Sequence, residues 1–246
     1  MKKNFQGGKI YGCRNRCFRQ NSIVRIKYFL SAILLALTTS LCAQTPPDST
    51  KPAPFESEIK AFEAADLKNP PPKNGILFIG SSSIRFWATL SQDFPNLPVY
   101  HRGFGGSQIS DSIHFAPRIV LPYAPRQIVF YAGGNDINAG KSPERVFSDF
   151  TNFVGIVRAA LPETRISYIS IAPNPARWKQ VEKVKAANRL IADFAAQNPR
   201  LDFIDVFSKM LGADGQPLPD IYRDDKLHMN PKGYEIWKGI VGSYLQ

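Results

Sequence analysis

Short apolar runs alternate with stretches of helical spacing along most of this chain. Ile76 to Ile79 is wholly apolar, and Gly80, Ser81, Ser82 and Ser83 follow it at once. Beyond them Ile84, Trp87 and Leu90 recur on one helical face. That change of period predicts a buried strand, a sharp turn and a helix start, with a serine in the turn. A second run, Leu97 to Tyr100, precedes the turn Gly103-Phe104-Gly105-Gly106, and a third, Gln127 to Tyr131, precedes Gly133-Gly134-Asn135-Asp136. Ser142 and Pro143 open a long helix, the first as its cap and the second at its first position, with Val146, Phe150, Phe153, Val154 and Val157 along one face.

The fourth run spans Arg165 to Ile171 and stops before Pro173. A helix is expected from Val181 to Ala196, with Val184, Ala187, Leu190, Ile191 and Phe194 inward, and a fifth strand from Leu201 to Val206. Pro231 opens a last helix carrying Tyr234, Ile236, Trp237, Ile240 and Val241. Upstream, Phe55, Ile59 and Phe62 share a face of an entry helix that Pro70-Pro71-Pro72 ends. Five strands alternating with helices imply a parallel sheet covered on both faces, and right-handed crossovers make it a three-layer α/β/α sandwich with a five-stranded parallel sheet.

Charge changes the picture only at the N-terminal end. The formal charge is +11, which would suit a nucleic-acid binder. Eight of the 31 basic residues (Lys2, Lys3, Lys9, Arg14, Arg16, Arg19, Arg25 and Lys27) precede Ala43, however, and no acidic residue does. Beyond Ala43, 23 basic residues face 20 acidic ones, so no basic footprint for nucleic acid remains. Residues 1–43 read as a cleaved signal peptide: the basic lead, the apolar core Phe29 to Leu37, then small residues up to Ala43, with cleavage before Gln44. The apolar core is shorter than the roughly 20 residues of a membrane-spanning helix. The expectation is therefore an exported protein, periplasmic or extracellular, with no stable membrane insertion after processing. Residues 44–54 read as a linker and 55–246 as one catalytic domain. Cys13, Cys17 and Cys42 all lie in the leader, which leaves the mature chain no disulfide, thiolate nucleophile or cysteine-bound metal.

Candidate chemistry gathers where open α/β sheets bind ligands, just after the strands. A serine hydroxyl needs a base to become a nucleophile. His228 is the best candidate, since His101 ends a strand and His114 lies in an expected helix. Asp225, three residues earlier, can hold the far ring nitrogen, and Asp224 is a rival that spacing does not separate from it. Donors for a developing oxyanion are available in the Ser82 N–H, the Gly106 N–H and the Asn135 amide. Serines capping a helix, glycines in turns and an asparagine cap would each have a purely structural explanation. Their occurrence in order along one rim argues for a site. Trp178, Arg177, Arg85 and Tyr222 are further residues that could line a cleft.

Gly80-Ser81-Ser82-Ser83, Gly105-Gly106, Gly133-Gly134-Asn135-Asp136 and Asp225-x-x-His228 resemble the four blocks of the SGNH hydrolases, the GDSL-like esterase, lipase and acylhydrolase family. The closest look is to its single-domain acetylhydrolase-like branch, and the resemblance runs from about Gly75 to Gln246. It implies a flavodoxin-like sheet, Ser82 as nucleophile, Asp225 and His228 as its partners, and Ser82, Gly106 and Asn135 as oxyanion donors. It implies no metal and no organic cofactor. Ser81 departs from the Asp usual before the nucleophile, so hydrogen bonding at that turn must differ. The expected activity is hydrolysis of short-chain acyl esters, with a small-molecule ester (an acylated carbohydrate is one form) as partner and an undetermined oligomeric state. A thioesterase or lysophospholipase using the same site, and a noncatalytic ester- or glycan-binding module, are the competing readings. The polar segment Ser208 to Asp225 would make a poor roof for lipid, which predicts a shallow, open cleft.

Overall fold

The computed structural model describes residues 54–246. The expected signal peptide and almost all of the expected linker lie outside the described residues. Five strands, β1 (Ile76–Gly80), β2 (Val99–Gly103), β3 (Gln127–Tyr131), β4 (Arg165–Ile169) and β5 (Leu201–Ile204), form one parallel sheet in the order β2-β1-β3-β4-β5. Alternation along each strand divides the core in two. Leu77, Ile79, Ile128, Phe130, Ile166 and Tyr168 face one side, packed with α1 (Glu56–Lys68), α4 (Ile109–Ile119), α6 (Pro143–Ala160) and α7 (Val181–Ala196). Ile76, Phe78, Val129, Tyr131 and Ile169 face the other, packed with the one-turn helices α2 (Ser82–Arg85) and α3 (Leu90–Asp93) and with α8 (Pro231–Val241). A fully parallel sheet requires this cover on both faces. The structure therefore has the expected three-layer α/β/α architecture. Among the described residues, no helix is long and apolar enough to cross a membrane.

Several boundaries differ from the sequence reading, for identifiable reasons. Ile84, Trp87 and Leu90 are all buried, but not on one helix: the chain turns between Arg85 and Leu90. A three-residue repeat suits successive tight turns as well as a helix, and here the turns bond Trp87 N–H to the Ile84 carbonyl and Ala88 N–H to that of Phe86. The edge strand β2 runs on to Gly103 and so takes in His101 and Arg102. Arg102 is buried in the strand because Asp66 of α1 accepts from its guanidinium while the Phe62 and Tyr123 rings lie 5.1 and 5.0 Å from it. A buried charge persists when paired in this way. Strands β4 and β5 each stop two residues short of expectation. Beyond β4, the buried Asn188 amide of α7 accepts from Ile171 N–H (2.8 Å) and donates to its carbonyl (3.0 Å), fixing the departing chain.

The long helices match their patterns. Ser142 Oγ accepts from Arg145 N–H and so caps α6, with Pro143 at its first position. Leu190 and Phe194 of α7 are half-buried rather than core residues, and Asn188 is buried with Ala187 and Ile191. The second core layer is aromatic around Trp87, which has Phe78, Tyr234 and Trp237 at ring distances of 5.7, 5.5 and 5.9 Å. Such pairs contribute about 0.5–1.5 kcal/mol each beyond their buried area. They lock α8 against the segment that follows Ser82.

Candidate active site

The turn after β1 is made possible by Gly80. Its φ is +137°, and a Cβ there would lie 1.8 Å from the Tyr131 carbonyl oxygen. The Ser81 N–H donates to that same oxygen (3.0 Å), so the serine turn is stitched to β3. Ser82 then stands at the first position of α2, where its N–H has no acceptor inside the helix. With only one turn behind it, α2 carries little macrodipole, so any anion stabilisation comes from the N–H itself rather than from a helix field. Ser81 is buried, and its side chain makes no cap.

Ser82 meets a residue 146 positions away. Its Oγ lies 2.9 Å from His228 Nε2, and His228 Nδ1 lies 2.6 Å from Asp225 Oδ2. The other Asp225 oxygen accepts from the N–H groups of Leu227 and His228, both at 2.9 Å. That turn depends on Lys226, a non-glycine residue with φ +55°. Burial acts to raise the Asp225 carboxyl, but the His228 ring and the two backbone N–H groups outweigh it and hold the group at about 2. The rival Asp224 is exposed and makes no hydrogen bond to the imidazole. The His228 ring also rests edge-on against Phe86 (4.9 Å), and Arg223 lies 4.7 Å from the same phenyl ring. The sequence reading does not single out Phe86, whose contact with His228 arises from packing.

Asn135 belongs to α5 (Gly134–Asn138), directly after β3. Its Nδ2 donates to the Ser107 carbonyl (3.0 Å), which brings it beside the Gly103–Gly106 turn. An ideal Cβ on Gly106 would come 3.8 Å from Nδ2, an ordinary contact. Space therefore does not by itself demand a glycine there. Asp136, fully buried, accepts from Ile109 N–H at the start of α4 and pairs with Lys141 Nζ (2.8 Å), which also reaches Asp149 (2.8 Å). Burial raises the Asp136 carboxyl above its ordinary value, and Lys141 opposes the rise. This network ties the turn bearing Gly106 to the helix bearing Asn135. From the outside, α1 completes the support: Glu58 accepts from Gly105 N–H and pairs with Arg85 (3.0 Å).

Ser82, Asn135 and His228 share the wall of a cavity of about 40 Å³, together with Tyr131, Arg177 and Tyr222. Of the other suggested cleft residues, Trp178 lines a neighbouring groove, and Arg85 is exposed and paired with Glu58. His101 is half-buried in β2 and His114 is exposed on α4, neither on this wall.

A serine hydroxyl bonded to an imidazole that is itself held by a carboxylate, on the carboxyl rim of a parallel sheet, is the equipment of a serine hydrolase. The chain is an enzyme of that type, acting on ester bonds. Residues 80–236 match the model of the GDSL-like Lipase/Acylhydrolase family, and the chain belongs to that family. Solved structures agree in fold. A Streptococcus pneumonia protein provisionally described as a platelet activating factor is 22% identical with a TM-score of 0.68, over 77% of this chain and 92% of that one. A GDSL-like lipase from Bacteroides thetaiotaomicron is 18% identical with a TM-score of 0.64, over 76% and 96%. A carbohydrate esterase of family 3 from Talaromyces cellulolyticus is 21% identical with a TM-score of 0.52, over 69% and 94%. No curated protein matches the chain significantly.

Proposed function

We propose that the protein is an exported esterase that removes short acyl groups, acetyl foremost, from small esters through an acyl-enzyme on Ser82. The supporting observation is the unbroken relay from Ser82 Oγ through His228 to Asp225, at 2.9 and 2.6 Å, beside a cavity of only about 40 Å³. In the reaction, Ser82 Oγ attacks the ester carbonyl carbon and its proton passes to His228 Nε2. Asp225 keeps the other ring proton on Nδ1 and stabilises the imidazolium. The carbonyl oxygen, now an anion, receives hydrogen bonds from the N–H groups of Ser82 and Gly106 and from Asn135 Nδ2. Collapse breaks the ester C–O bond, and the alcohol leaves with the proton from His228. Water, deprotonated by the same imidazole, then releases the acid and restores Ser82.

The size of the cavity supports the acyl preference. Each methylene that leaves water on binding contributes about 0.8 kcal/mol, and methylenes left outside the cavity contribute nothing. With 4-nitrophenyl acetate, butyrate and octanoate, kcat/KM should be highest for acetate and fall beyond four carbons. A steady rise up to octanoate would overturn the short-chain reading. A fluorophosphonate should label Ser82 and leave the Ser82→Ala variant unlabelled and inactive; labelling elsewhere would remove the nucleophile assignment. For export, we infer cleavage before Gln44, a linker to residue 54 and a catalytic domain over 55–246. N-terminal sequencing of the exported protein tests this, and an intact Met1 would contradict it.

A further inference from the structure

The Asn135 amide is gripped at both ends. Its oxygen accepts from Arg177 Nη1 at 2.9 Å while its nitrogen donates to the Ser107 carbonyl at 3.0 Å. The same Arg177 nitrogen donates to the Gly134 carbonyl (3.2 Å). With the amide turned over, two donors would face each other at one end and two carbonyl oxygens at the other. The observed orientation is therefore the one the network permits. One Nδ2 hydrogen is used on Ser107, and the second is left for the cavity that both Asn135 and Arg177 line.

Arg177 has no competing employment. Burial lowers its guanidinium from the ordinary value, Tyr131 opposes the fall, and among the described residues no carboxylate raises it. It sits on a 3₁₀ turn, Pro175–Gln180, capped by Asn174 Oδ1, which accepts from Arg177 N–H at 2.9 Å. Ala176 N–H of that turn donates to the Lys226 carbonyl, so the turn is fastened between Asp225 and His228. A cation hydrogen-bonded to an amide oxygen draws electron density from the nitrogen and makes the remaining N–H a stronger donor.

We propose that Arg177 is a positioning residue for the oxyanion site, fixing and polarising the Asn135 amide so that its second N–H meets the anion. The inference rests on the reading of Asn135 as an oxyanion donor. The experiment is a double-mutant cycle on 4-nitrophenyl acetate hydrolysis, with kcat and KM measured separately and folding checked by circular dichroism. Loss of an oxyanion donor costs roughly 10²–10³ in kcat, so loss of its support in Arg177→Met should cost about tenfold to thirtyfold with KM within about twofold. Arg177→Lys should recover part of the loss. In an Asn135→Ala background, Arg177→Met should change kcat by less than about twofold, because the residue it acts through is gone. Equal losses in both backgrounds, a raised KM at unchanged kcat, or a Lys variant no better than Met would overturn the proposal. If Arg177→Met does not fold, Arg177→Gln and Arg177→Lys carry the same cycle. Should Asn135→Ala itself keep wild-type kcat, the donor reading and this inference fall together, while Ser82→Ala still tests the serine.

Discussion

Replacing Asp225 by asparagine changes a charge and one proton while keeping the shape. Asp225 Oδ1 accepts from two backbone N–H groups, so an asparagine keeps its oxygen there and turns its NH₂ toward His228 Nδ1. Nδ1 must then accept, and the ring proton moves to Nε2, the atom that faces Ser82 Oγ at 2.9 Å. A protonated Nε2 takes no proton from serine. Recovering the working tautomer means flipping the amide and losing two backbone hydrogen bonds, each worth about 1–1.5 kcal/mol. That penalty of about 2–3 kcal/mol corresponds to a factor of roughly 30–150. The lost carboxylate charge adds less, because the Asp225 side chain is 46% exposed. Discounted for solvent, it is worth about 1 kcal/mol, or a further factor of about five. Asp225→Asn should thus lower kcat by roughly 10²- to 10³-fold with KM little changed. Stopped-flow or steady-state hydrolysis of 4-nitrophenyl acetate at pH 8 measures it. A loss under about tenfold, or a larger loss in Asp224→Asn, would refute the assignment.

Three other outcomes follow from the same geometry. Because Asp225 is held at about 2, below its ordinary value, its contribution is present above about pH 4 and lost only as pH falls through about 2. The Asp225 carboxyl should therefore stay ionised above about pH 4, and carbon-13 NMR of labelled aspartate should place its titration near 2; a midpoint near 4 would contradict this. Lys141→Met leaves the buried Asp136 and Asp149 carboxylates without their shared cation, and urea unfolding should show a loss of about 3–5 kcal/mol. Gly80→Ala forces a Cβ onto the Tyr131 carbonyl oxygen at a positive φ, so the variant should lose more than about 3 kcal/mol or fail to accumulate folded; a native melting curve would contradict this.

Much of this molecule is legible in the sequence because its local and global preferences agree. The interior strand β3 falls where its apolar run does, α6 lies where its period and cap put it, and α7 where its period does. The residues proposed to bear chemistry share one rim because each follows a strand directly or precedes α8. What the sequence hides is partnership at a distance. Arg102 argues locally against a strand, and only Asp66 and the surrounding rings explain its place in one. Nothing local distinguishes Arg177 from any cleft arginine; its contact with Asn135, 42 positions away, does. Phe86 and the Asp136–Lys141–Asp149 network are likewise products of packing, with no local period to announce them.

The 146-residue separation between Ser82 and His228 also has a meaning in time. The proposed nucleophile is synthesised early, just after the first strand, but the proposed base and its carboxylate arrive only after the fifth. They reach Ser82 because α8 docks its Tyr234 and Trp237 on Trp87 on the same face of the sheet. Contacts this remote form late, since loop closure must precede the reward of packing. A chain still being made, or on the proposed export held unfolded for passage through a membrane, therefore carries a serine with no means of ionising it. On the proposed roles, the hydrolase stays chemically silent until the final docking of α8, and its activity is itself a report that folding has finished.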